Sequence, residues 1–61
     1  MTFNPLGLFT KEQMLGALVQ WQCDPSLKLP RKGRSLFIAF PNQVAVRITK
    51  QGDAYLLERN A

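Results

Sequence analysis

The chain contains no histidine and a single cysteine, Cys23. Without histidine it lacks the side chain that most often serves as a general base near neutral pH and most often ligates zinc. One cysteine can neither close an internal disulfide nor supply a metal-binding cysteine pair. Acidic residues are scarce too: Glu12, Asp24, Asp53 and Glu58, against eight lysines and arginines. Those four fall at a predicted helix start, a helix end, a turn and a strand, so no two are placed for acid–base work or for a divalent cation. Gly-rich phosphate loops are absent. The expectation is a non-enzymatic protein with no catalytic residue, no metal site and no cofactor.

Long hydrophobic runs are missing as well. No apolar stretch approaches the length of a membrane span. The opening residues MTFNPLGL carry neither the basic group nor the sustained apolar run of a secretory signal. A soluble, reducing, cytoplasmic setting with no membrane partner fits this pattern.

What is present fits one small domain. Sixty-one residues, 46% of them hydrophobic, lie near the lower limit at which a single core suffices without a disulfide or a metal. Self-association is therefore expected.

The organising stretch is residues 35–59, SLFIAFPNQVAVRITKQGDAYLLER. Leu36, Ile38 and Phe40, then Val44, Val46 and Ile48, alternate with smaller or polar residues, the period of strands with one buried face. Two turns divide it into three strands. If Phe40 pairs with Val44 across a three-residue loop, Ile38 meets Val46, Leu36 meets Ile48 and the even-numbered residues share one face. A two-residue loop at either Gln51-Gly52 or Gly52-Asp53 sends Tyr55 and Leu57 to that same face, and the Gly52-Asp53 choice also sets Arg47 opposite Glu58, a favourable cross-strand pair. A bulged three-residue loop would put Leu56 inside instead.

A helix precedes the strands. Thr10 stands at its N-cap, Gln13 completes a capping box, and Phe9 with Met14 forms a hydrophobic staple. The helix is placed from Lys11 to about Gln22, with Pro25 ending it. Met14, Leu15, Ala17, Leu18, Val19 and Trp21 share one broad apolar arc. Residues 1–9 hold Pro5 and Gly7 without a period and read as an extended lead-in, residues 10–22 as helix and residues 23–34 as a basic connector. The predicted fold is thus α+β: one amphipathic N-terminal helix on a three-stranded antiparallel meander, αβββ. That order resembles the first part of the double-stranded-RNA-binding domain and of some small toxin ribonucleases. The terminal helix of those folds is missing here, as is the histidine the ribonucleases use.

Charge is distributed unevenly. Net charge is +4 with a sequence pI near 9.9, which favours anionic partners. Lys28, Arg31, Lys32 and Arg34 cluster in the connector with no acid among them, a pattern that suits phosphate contacts and equally a solvated loop. Phe37 and Arg47 are expected side by side on the outer sheet face. There they could stack unpaired bases, or the Arg47 stem could simply cover Phe37 and reach Glu58. Cys23 and Trp21 read as packing residues. Two functions follow as expectations. The first is a small basic binding protein contacting nucleic acid through Lys28, Arg31, Lys32, Arg34, Phe37 and Arg47. The alternative is a regulatory inhibitor of the phage or mobile-element type that docks on a host protein, the basic loop meeting an acidic protein surface. A structural subunit of a larger assembly, or a homodimer through the outer sheet face, would also use the apolar residues there.

Overall fold

A computed structural model describes residues 2–60. The helix α1, Lys11–Gln20, starts where its cap residues require. The Thr10 hydroxyl accepts from the Gln13 N–H at 3.1 Å, and the Gln13 side-chain oxygen accepts from the Thr10 N–H at 2.9 Å. Two of the otherwise unsatisfied backbone donors at the helix start are thereby bonded.

The helix ends two residues before the expected Gln22, and Pro25 is not what stops it. Trp21 is the C-cap and Gln22 adopts a left-handed φ of 60°. The Gln22 N–H then donates to the Val19 carbonyl at 3.0 Å and the Cys23 N–H to the Leu18 carbonyl at 3.0 Å. This is the Schellman arrangement, formed here without the usual glycine.

Three strands follow: β2 Ser35–Ala39, β3 Ala45–Gln51 and β4 Ala54–Asn60. Leu36 pairs with Ile48, Ile38 with Val46 and Arg47 with Glu58, the registers that the alternation implies. Between β2 and β3 the Phe40 N–H donates to the Val44 carbonyl at 2.7 Å, with Gln43 at φ 63° closing the three-residue loop. Between β3 and β4, Gln51 faces Ala54, and Gly52 at φ 59° takes the first central position of the two-residue turn, as a type II′ turn requires. Tyr55 and Leu57 are buried on the helix side, so the bulged alternative does not occur.

The lead-in is a correction. Phe3–Phe9 forms a fourth strand, β1, antiparallel to β4, and the sheet order is β1-β4-β3-β2. The protein is therefore a helix on a four-stranded antiparallel sheet, with its first strand before the helix. Register slips between Pro5 and Gly7, so Leu6 bulges out, and Gly7 sits at φ 143°, which favours glycine. Pro5 is tolerated because β1 is an edge strand.

The core joins Met14 and Leu18 of α1 to Val46 and Ile48 of β3 and to Tyr55 and Leu57 of β4. The buried arc of the helix is narrower than its apolar pattern suggested: Val19 is 78% exposed and Leu15 42%. The helix lies chiefly over β1 and β4, and a short helix resting mainly on half a sheet buries one thin stripe. The segment after it supplies the remaining cover. Trp21, Cys23, Leu27 and Leu29 pack against the core, and the Trp21 ring meets Phe40 edge-on at 5.9 Å.

Candidate nucleic-acid interface

The segment joining α1 to β2 is shaped by two turns. Asp24 accepts from the Ser26 N–H at 2.9 Å and the Ser26 hydroxyl at 2.8 Å, hydrogen bonds that hold its carboxyl below the usual range. The Leu27 N–H donates to the Asp24 carbonyl at 2.9 Å. A second turn bonds the Arg34 N–H to the Arg31 carbonyl at 2.9 Å, with Gly33 at φ 80°. Between the turns Leu27 and Leu29 are half-buried and point the chain inward, while Lys28, Arg31 and Lys32 stay exposed.

This folding-back creates a cleft of about 440 Å³. Its basic lining consists of Lys28, Arg31 and Lys32 from the connector, Lys11 from the first position of α1 and Lys50 from β3. Its apolar lining is Leu15, Leu27, Leu29, Pro30 and the buried Tyr55. The Lys50 ammonium lies 5.7 Å from the centre of the Tyr55 ring. Among the described residues no carboxylate borders the cleft. Five positive charges on three separate elements raise the local potential together, and an anion entering the concavity is attracted by all of them.

The residues singled out in the sequence do not form one site. Lys28, Arg31 and Lys32 line the cleft, and Arg34 stands just beyond it at the foot of β2. Phe37 and Arg47 are cross-strand neighbours on the opposite face of the sheet. There Arg47 is already engaged: its Nε and a terminal nitrogen each donate to Glu58 at 2.9 Å, a bidentate pair. Those hydrogen bonds hold the Glu58 carboxyl below its ordinary range and push the Arg47 guanidinium up. The Phe3 ring of β1 sits 4.8 Å from the guanidinium carbon and meets Phe37 edge-on at 6.1 Å. The outer face thus carries an internally neutralised ion pair under an aromatic lid. It also carries exposed Phe37 and Leu8.

Lys11 and Lys50 were missed. Lys50 was within reach, because it continues the Val46–Ile48 alternation and must therefore face the helix side. Lys11 carried no signal, since nothing in the sequence shows the connector returning to the helix start. Cys23 is half-buried and borders two smaller clefts of about 330 and 230 Å³ with Trp21, Leu18 and Leu27 among the other walls. Among the described residues no three His, Cys, Asp or Glu side chains come together as a metal site would require, and no helix is long and apolar enough to cross a membrane.

Helix and sheet define a small α+β protein with one cationic cleft and one apolar sheet face. Comparison with protein-family models, curated protein sequences and solved structures finds no match in any of the three.

Proposed function

We propose that the protein is a non-enzymatic binding protein that takes nucleic acid into the cationic cleft through phosphate contacts. One observation carries this reading: Lys11 and Lys50, far apart in the chain, converge on the same concavity as Lys28, Arg31 and Lys32, with no acid among the described residues of its lining. A solvated loop kept basic for solubility has no reason to collect cations from a helix and a strand. The same lining supplies few groups that distinguish bases by hydrogen bonding, so affinity is electrostatic and sequence preference is weak.

Each phosphate neutralised releases counterions, which makes the salt dependence of affinity the direct test. With four or five cations engaged, the log–log slope on salt is expected between about −3 and −4.5. Replacing Lys11 and Lys50 together by alanine should flatten that slope by about 1.5, as much as replacing Arg31 and Lys32. If the Lys11 and Lys50 pair is silent while Arg31 and Lys32 matter, the ligand touches the loop and not the cleft. Absence of binding even near 50 mM salt, where phosphate contacts are strong, ends the nucleic-acid reading. The cleft would then be read as the docking surface of a regulatory inhibitor for an acidic protein.

A further inference from the structure

We infer that the cleft selects an unpaired strand over a duplex, an inference that rests on the nucleic-acid reading of the same site. The lining is not only cationic. Leu15, Leu27, Leu29 and Pro30 stand between the ammonium and guanidinium groups. A duplex presents phosphates and groove edges while its base faces stay stacked inside. Leucine and proline walls offer such a surface no hydrogen bond, and its polar groups lose water on contact without a replacement. An unpaired strand carries both chemistries in each nucleotide: a phosphate for the cations, and a base face that gains by leaving water against apolar side chains. A volume of about 440 Å³ is that of a site for a small molecule, enough for a nucleotide or two, whereas a duplex can only lie across the rim. The one aromatic ring in the lining, Tyr55, is 4% exposed, so the bases meet aliphatic walls and the discrimination is moderate.

Fluorescence anisotropy with a labelled oligothymidine, and with the duplex of the same length that contains it, tests this at one salt concentration. The single strand should bind about tenfold more tightly. Leu15→Gln alters a helix position that is 42% exposed and outside the buried core, and circular dichroism checks that the variant is folded. It should weaken single-strand binding several-fold while the salt slope stays the same, because no charge is lost. Equal or tighter duplex binding, or an unaffected Leu15→Gln, overturns the selectivity and leaves the nucleic-acid reading standing. A folded protein, checked by circular dichroism, that binds neither probe overturns both.

The opposite side of the molecule carries a second, independent inference: the geometry points to face-to-face pairing of two copies through the outer sheet surface. Phe37 is 63% exposed there and Leu8 60%, apolar side chains that isolated monomers seldom leave open together. Among the described residues the charged side chains on that face are Arg47 and Glu58, which neutralise each other, so the basic side chains behind the net charge of +4 lie off it. Two copies of a basic chain repel through most of their surfaces and can approach through this one at no such cost. Pairing along strand edges is less suited, because β1 carries Pro5 and a bulge and β2 is only five residues long. The two-fold arrangement places both cationic clefts outward. Sedimentation equilibrium across a wide concentration range should show a monomer–dimer equilibrium, with Phe37→Glu monomeric throughout and as well folded as the wild type. A wild type that stays monomeric, or a Phe37→Glu variant that still dimerises, overturns the pairing.

Discussion

Gln22 holds a backbone conformation that side chains with a Cβ resist, and Gly16 spends the opposite freedom in the middle of a helix. At φ 60° Gln22 occupies the position where glycine costs least. A Cβ added at Gly16 meets nothing within 4 Å, so no close approach explains that glycine. Exchanging the two preferences should stabilise the protein twice over. Gln22→Gly is expected to gain about 0.5–1 kcal/mol and Gly16→Ala a similar amount, both read as a rise in the urea midpoint. A fall for Gln22→Gly would mean that its side chain makes a contact worth more than the strain. Glu58 makes a different residue-scale statement. Arg47 holds its carboxyl below the ordinary glutamate value of about 4.5. The stability it adds is therefore complete above that pH and lost as the pH falls through the lower folded value. Wild type and Glu58→Gln should differ in midpoint near neutrality and converge in acid. A gap that stays constant down to about pH 3, below the usual carboxylate range, would show that the ion pair contributes nothing through its charge.

At the scale of elements, legibility followed the phase of the alternation. β2, β3 and β4 keep an unbroken period of two, so the first hairpin register is legible in the sequence, whereas the second is narrowed to a few turns, of which Gly52-Asp53 is the one that forms and pairs Arg47 with Glu58. β1 does not keep it. Phe3 and Pro5 lie on the outer side with Asn60 and Glu58 as partners, and after the bulge Gly7 and Phe9 face the helix while Leu8 points out. The extra residue inverts the phase in the middle of a seven-residue strand. With Pro5 and Gly7 suggesting a loop, no periodic signal survives. The helix was legible at its start, where capping is local chemistry. It was less so at its far side, because the width of the buried stripe depends on which strands lie beneath. The connector cations were visible as a cluster, but their joining with Lys11 and Lys50 is a tertiary event. The bulge supplies the test for this element. Gly7→Ala forces an L-residue to φ 143° and should cost about 1–3 kcal/mol, although the nearest atom to the new Cβ, on Phe9, is at an ordinary 3.9 Å. A midpoint equal to wild type would mean that β1 re-registers without the bulge at no cost.

Over the whole molecule, stability is expected to be graded from the centre of the sheet outward. β3 and β4 are paired on both sides and hold Val46, Ile48, Tyr55 and Leu57, most of the buried core. β1 and β2 are edges. The Asn60 side chain reaches beyond its own strand, donating to the Gln43 carbonyl at 2.7 Å and accepting from the Ala45 N–H at 2.9 Å, so the end of β4 is tied to the β2–β3 loop. The connector has no ladder and is held by turns and by Leu27 and Leu29. The cationic cleft is thus built across this gradient: Lys50 stands on a central strand and Lys11 on a capped helix, while Lys28, Arg31 and Lys32 stand on the segment without ladder hydrogen bonds. Native-state amide exchange should reproduce that order. The amides of Arg47 and Glu58, which face each other between the two central strands, should exchange only through global unfolding, those of β1 and β2 should exchange sooner, and those of Lys28, Leu29, Arg31 and Lys32 fastest. Such a ranking would leave two cations fixed and three able to adjust to the spacing of phosphates along a flexible strand. Protection in residues 28–32 equal to that of β3 would instead mean a rigid cleft of one shape, suited to a ligand of fixed dimensions rather than to a polymer with weak sequence preference.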